Sequence, residues 1–408
     1  MRLNLFRTIA CAILSSLATV LFANDGGFYI SGNHLVPISN TTVKVAKEKL
    51  TIQLNDNNQT YVDVDYVFVN SSSKAQTIKM GFEAKIEDSW AHVPEKANTG
   101  HPNIHDFKIE MNGKPINFSN EYAFVLTNEK DSTKYLDYSH FPVDKSKWVL
   151  GGKDYHEIAE GAWDNGLQNK ETKELAPYAH VYYFEATFQP GENHIHHTYK
   201  YDEGGGQFDA FTVAYWLTPA ARWAGGKIDD FTLCISVPET AKHFFLQGPF
   251  AGGNYNVTKG FGKFRNTPNG EEIAIRNGAI EWSCKNFSPT SDLKILAVDN
   301  IYYKENKAMK IGEFYDRNDV WISEEYAYKH KTNGNIETPE FLTPSEQRLL
   351  RNLPYAHRGY VFKDAKLNEY FSQFFWYMPD STWKASSEDF TENEVKMVEW
   401  AKKALIKL

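Results

Sequence analysis

Cysteine is scarce in this chain. There are three among 408 residues, and Cys11 lies within the apolar start. A disulfide-stapled scaffold is therefore excluded as the source of stability. Clustered lysine and arginine are also missing, and the formal charge is −8. Phosphate contact needs such clusters, so nucleic-acid binding is not expected. Past residue 22 no apolar run approaches the roughly 20 residues of a membrane span, so no transmembrane anchor is expected. A Gly-x-Ser-x-Gly elbow is absent. The glycines at 204–206 and in Lys259-Gly260-Phe261-Gly262 do not open a helix, which argues against nucleotide binding.

What is present begins with an address. Arg2 and Arg7 precede an apolar stretch over residues 8–22, and Ala23 leads into Asn24-Asp25. That is the layout of a secretory signal peptide, expected over residues 1–23. The expected destination is outside the cytoplasm, periplasmic or extracellular. Losing this leader takes away two cations and moves the formal charge from −8 to −10. Cys234 and Cys284 would then remain. Alternation places Cys234 opposite Leu233 and Ile235, and Cys284 with Ile280 and Trp282, so a disulfide and two separate thiols both stay open.

The body reads as β structure. Residues 24–125 form the first expected β domain. Leu50, Ile52 and Leu54 alternate, as do Val62, Val64, Tyr66 and Phe68. A register break near Lys47 predicts a bulge, and Asn112-Gly113 a hairpin turn. Residues 126–176 are polar and poorly periodic, an insertion loop poised to cover a site. Residues 177–300 return to short strands, with Asn277-Gly278 joining the last two, as in a sandwich. Residues 301–340 are a charged connector. Residues 341–408 turn helical, with capping boxes at Thr343…Glu346 and Thr391…Glu394. The expected fold class is mainly β with α: two antiparallel sandwich-like domains and a small C-terminal helical module.

Candidate chemistry is sparse. His194 and His196 share one strand face, and His197 faces the other way with Ile195 and Tyr199. No completing ligand set is visible, so neither metal nor cofactor is expected. His156-Glu157…Glu160 lacks the second histidine of a zinc-protease helix. The densest signal is LPYAHRGYVFKDAKLNEYFSQFFWYMP at 353–379. There His357 and Arg358 suit a helix C-terminus, and Gly359 the left-handed residue that ends it. Alternatively, Tyr355, His357, Arg358, Tyr360, Trp376 and Tyr377 line a binding cleft, with Trp223 as a separate exposed-ring candidate.

This stretch resembles the YARHG domain, an extracellular bacterial module. The resemblance rests on Leu350-Arg351-Asn352, Tyr355-Ala356-His357-Arg358-Gly359-Tyr360, Phe362, the Asp364 turn, Tyr370-Phe371, Trp376-Tyr377 and Pro379. His and Arg stand in exchanged order, and Pro354 disfavours helix at Leu353, pointing to an earlier helix end. The resemblance implies a place outside the cytoplasm and no set activity. Tyr215-Trp216-Leu217-Thr218-Pro219 with Trp223-Ala224-Gly225 is similar to a step in secreted bacterial β domains. The function expected is a non-enzymatic binding or scaffold protein of the bacterial cell envelope. Its partners would be envelope glycan, envelope peptide or another envelope protein. The alternative is a secreted hydrolase of such glycan or peptide, using Glu157, Glu160 and His156 or the His357-Arg358 pair.

Overall fold

The structure is a computed structural model. It describes residues 31–32, 35–37, 41–55, 59–85, 104–127, 134–151, 166–202, 212–250, 255–297, 310–312 and 342–403. The expected signal peptide and most of the connector lie outside these residues. Strands come first: β1 (Ser31–Gly32), β2 (Leu35–Pro37), β3 (Val43–Leu54), β4 (Gln59–Asn70), β5 (Gln76–Lys85), β6 (Ile104–Met111), β7 (Lys114–Pro115) and β8 (Ser119–Thr127). Four short strands follow, β9 (Lys134–Asp137), β10 (Trp148–Gly151), β11 (Gly166–Asn169) and β12 (Leu175–Ala176). The chain continues through β13 (Tyr178–Phe188), β14 (Gly191–Asp202), β15 (Thr212–Tyr215), β16 (Ile228–Gln247), β17 (Asn256–Thr267), β18 (Gly270–Phe287) and β19 (Leu293–Ala297). Three helices close it: α1 (Pro344–His357), α2 (Ala365–Phe371) and α3 (Glu392–Lys403).

Strict alternation makes the long strands. In β4 the inward set Val62, Val64, Tyr66 and Phe68 is buried, while Asp63 and Asp65 look outward. The expected bulge is present, since the β3–β4 register shifts between Val45 and Lys47. It turns Glu48 into the interior, where it is buried. Asn112 and Gly113 take positive φ values of 51° and 72°, as a tight hairpin between β6 and β7 requires.

An 11-stranded sheet contains the path β1-β15-β19-β16-β3-β4-β14-β6-β7, and β18 and β17 extend from β16. A five-stranded sheet, β2-β5-β13-β8-β9, packs against it. One apolar core is shared by Leu50, Val64 and Phe68 of the first and Met80, Phe82, Phe184 and Phe188 of the second.

The boundaries read from the sequence separate segments that pair with one another. β4 pairs β14, and β5 pairs β13, across the 125/177 division. β3 and β16 pair in parallel, so the long sheet is mixed rather than purely antiparallel. Long-range pairing of this kind leaves no local trace, because each strand has the same alternation whichever neighbour it meets. The segment read as a polar loop is partly structured. β10, β11 and β12 form a three-stranded sheet. Leu167 and Val143 bury against Tyr122 and Tyr178. Asn277-Gly278 is likewise not a hairpin. β18 runs through it as a kink, with Asn277 at φ 48° and a register shift on β16 between Val237 and Ala241. A Cβ at Gly278 would lie 1.9 Å from the Lys259 carbonyl oxygen, so the glycine allows β17 to cross closely.

Candidate functional site

The histidine–arginine step comes first. Thr343 caps α1: its hydroxyl accepts from the Glu346 N–H at 3.2 Å, and the Glu346 carboxylate accepts from the Thr343 N–H at 2.7 Å. Pro354 lies inside α1, and the helix continues to His357 rather than ending early. Packing outweighs the local cost there, since Leu350, Leu353 and Ala356 are fully buried. Gly359, at φ 81°, turns the chain out of the helix.

His357 is buried against Trp376, with ring centroids 5.4 Å apart. Arg358 makes a two-pronged ion pair with Glu394, Nη1 to Oε1 at 2.8 Å and Nη2 to Oε2 at 2.7 Å. Its Nη1 also donates to the Pro354 carbonyl at 3.0 Å, and its guanidinium lies 4.8 Å from the Phe390 ring centre. Glu394 is fully buried and serves a second purpose. As the capping-box acid of α3 it accepts from the Thr391 N–H at 2.7 Å. One carboxylate thus joins the end of α1 to the start of α3.

The aromatic residues of the motif are seated in the same core. Trp376 donates its Nε1–H to the Gly312 carbonyl at 3.0 Å, and the Tyr377 hydroxyl donates to the Tyr360 carbonyl at 2.6 Å. Both rings are buried. Tyr355 and Tyr360 are half-buried and touch edge to face at 6.1 Å. Trp223, read as an exposed-ring candidate, is 2 % exposed and wedged 4.5 Å from Phe68. The turn before it is held by Asp292, whose Oδ1 accepts from the Leu217 and Thr218 N–H groups at 2.9 Å each. The motif's rings pack together in the helical module, and Trp223 stands apart from them in the core shared by the two sheets.

The module rests on the β17–β18 ribbon. Arg276 of β18 is buried, its guanidinium 4.4 Å from the Phe261 ring centre. Its Nη1 donates to the Arg358 carbonyl, and its Nη2 lies 3.7 Å from Asp380 Oδ2. Lys263 donates to the Tyr377 carbonyl at 2.6 Å. Sequence reading missed Arg276. Its only local signal is a cation at an inward position of an apolar strand.

Three further groups carry polar chemistry. On the outer face of the long sheet, Asp63, Asp65 and His196 offer ligand atoms that all lie within 4.8 Å of one another. His196 Nε2 is 3.3 Å from Asp63 Oδ1, and its Nδ1 is 3.8 Å from Glu110 Oε1. This donor set could hold a divalent cation. His194 stands on the same face and contributes its N–H to Asn112 Oδ1 at 2.8 Å. Inside the core, the Tyr66 and Tyr215 hydroxyls lie 3.4 Å apart, and burial holds the Tyr215 phenol well above its ordinary value. His197 stacks between Tyr66 at 5.7 Å and Tyr199 at 6.0 Å. At the rim of β13, burial pushes His180 down to about 4. His156, Glu157 and Glu160 lie outside the described residues.

Cys234 and Cys284 are free thiols. Cys234 pairs with Glu281 while Cys284 pairs with Phe231, so the two side chains point to opposite faces of the sheet. Burial raises the Cys234 thiol above its usual value.

Residues 324–404 match the model of the YARHG domain, and residues 23–212 match that of a domain of unknown function, DUF4424. The chain therefore carries a YARHG domain behind a DUF4424 domain. No curated protein matches it. Among solved structures it is similar to a Legionella pneumophila protein described as a candidate nutrient-binding protein. Identity is 18 %, the match covers 93 % of this chain and 99 % of that one, and the TM-score is 0.50. That likeness concerns the fold. An M1 zinc metallopeptidase from Deinococcus radiodurans matches at 10 % identity over 64 % of this chain and 43 % of that one, with a TM-score of 0.25. So low a score carries no argument. No helix among the described residues is long and apolar enough to cross a membrane.

Proposed function

We propose that the chain is an exported, non-enzymatic binding or scaffold protein of the bacterial cell envelope. The observation that carries this reading is the fate of the motif's reactive side chains. His357 is packed on Trp376 and Arg358 is spent on Glu394. The open polar groups stand elsewhere, on hydrogen-bonded strands: Asp63 and Asp65 on β4, Glu110 on β6 and His196 on β14. A rigid sheet face with three carboxylates around an imidazole suits a ligand bearing amines, such as an envelope peptide, or a basic partner protein. The leader-like start and the YARHG domain support a place outside the cytoplasm. The fold-level likeness to a candidate nutrient-binding protein is in keeping with ligand capture.

The test is retention of the chain from residue 24 onward on purified cell-wall sacculi, with the supernatant assayed for released fragments. An Asp63→Asn/Asp65→Asn variant runs beside it. Retention without release, lost in the variant, is the expected result. Release of fragments would overturn the reading in favour of a hydrolase. Equal retention of both proteins would move the binding face away from β4.

A further inference from the structure

We infer that the YARHG module is a receptor for cationic side chains presented by a β-strand, and that its occupant in this chain is Arg276, flanked by Lys263 and Arg265. The polar contacts that tie Arg276 and Lys263 to the module run in one direction. The ribbon supplies cations and the module supplies acceptors. Arg276 Nη1 donates to the Arg358 carbonyl, Lys263 Nζ donates to the Tyr377 carbonyl at 2.6 Å, and Asp380 faces Arg276 Nη2 at 3.7 Å. Phe375 of the module receives the Arg265 guanidinium at 4.6 Å and the His243 ring at 5.6 Å. Glu272 fixes both of these from below, at 2.8 Å from His243 Nε2 and 2.6 Å from Arg265 Nε.

The strand pairing explains why these side chains converge. Phe261 pairs with Arg276, Lys263 with Ala274 and Arg265 with Glu272, so all six lie on one face of the ribbon. Across β18, His243 of β16 pairs with Ala274 and continues that face. Ala274 is counted within the module's own apolar core, so the ribbon completes the module's packing. Of the three cations on this face Arg276 is buried and needs acceptors, while Lys263 and Arg265 stay exposed beside it.

Gly359 ties this seat to the motif. Its φ of 81° suits a helix ending, but space gives a second reason for glycine. A Cβ at 359 would fall 1.7 Å from Arg276 Nη1 and 2.5 Å from the Met378 carbonyl oxygen. The helix-ending role concerns α1 alone. The approach to the Met378 carbonyl is there in either case, but the closer one exists only because a guanidinium occupies the seat.

That difference supplies the test. Hydrogen exchange is followed in the full chain over peptides spanning 355–380, for the parent and for Arg276→Ala, Arg276→Lys, Gly359→Ala and Arg276→Ala/Gly359→Ala. Arg276→Ala is expected to speed exchange there by about tenfold or more, the scale of a lost charged hydrogen bond. Arg276→Lys should restore only part of it, because an ammonium lacks the planar fork. Gly359→Ala should cost clearly less protection in the Arg276→Ala background than in the parent. Equal cost in both backgrounds would make Gly359 a helix ending only and overturn the inference, as would unchanged exchange in Arg276→Ala. Should the double variant not fold, Asp380→Asn gives the same reading: faster exchange over 377–380 supports the seat, and no change contradicts it.

Discussion

On β4, Asp63 and Asp65 face water because Val62, Val64 and Tyr66 face the core. In the helical module Arg358 and Glu394 go inside together, 36 residues apart in sequence. Along β4 alternation sorts charge, so Asp63 and Asp65 lie on the outer face and can be exchanged at little cost to stability, while Glu48 at the bulge and Arg276 under the module are buried exceptions. The module is too small to enclose a large apolar core. It fastens its ends with a buried ion pair, a capping box and ring contacts. The same residue types therefore do different work in the two regions, and chemistry read from residue type alone misleads most in the module.

Glu394→Ala breaks the comparison most sharply. It leaves the Arg358 guanidinium buried without its counter-charge and removes the acid of a capping box. The module should lose about 3–5 kcal/mol, measured by urea unfolding followed through tryptophan fluorescence. In the β body the largest effect should come from pH. His180 stays neutral when folded, with its value pushed down to about 4 from an ordinary 6.5 by burial. Its unfolded form binds a proton that the folded form refuses, so stability is full above about pH 6.5 and falls as pH drops toward 4. The loss should approach about 3 kcal/mol, and His180→Phe should flatten that part of the profile. Asp137, Asp364 and Asp380 are held below their ordinary values by hydrogen bonds, so their effects enter at lower pH still.

Thr343→Ala removes the hydroxyl that caps α1 and should cost about 1 kcal/mol, seen as an earlier module transition. The smallest effect belongs to the outer sheet face. Lys49 and Glu281 pair at 3.1 Å with side chains 50 % and 30 % exposed, so Lys49→Ala should change stability by about 0–1 kcal/mol. A much larger loss there would erase the contrast between the two regions.

Local features were legible. Alternation marked the strands of the long sheet, the break at Lys47 announced the bulge, and both capping boxes mark real helix starts. What failed was long-range. Asn277-Gly278 fits a turn and a bulge equally well, and only the approach of β17 decides between them. The two segments read as separate domains interleave, because strand pairing follows the closing of a core and not the order of the chain. At the motif, the sequence offered packing and binding as alternatives for His357 and Arg358. The partners that settle each side chain's surroundings, Trp376 and Glu394, cannot be paired with them from spacing. Arg276 was invisible as a partner of the motif, since its contact with the Arg358 carbonyl spans 82 residues.

The central claim is that Arg358 is architectural. A double-mutant cycle on Arg358→Ala and Glu394→Ala, measured by urea unfolding of the full chain, tests it most directly. Each single change should destabilise the module by about 3–5 kcal/mol, and the pair together by little more than either alone. Stability within about 0.5 kcal/mol of the parent in both single variants, with retention on sacculi abolished only by Arg358→Ala, would contradict the account and return the motif to the surface as a binding site.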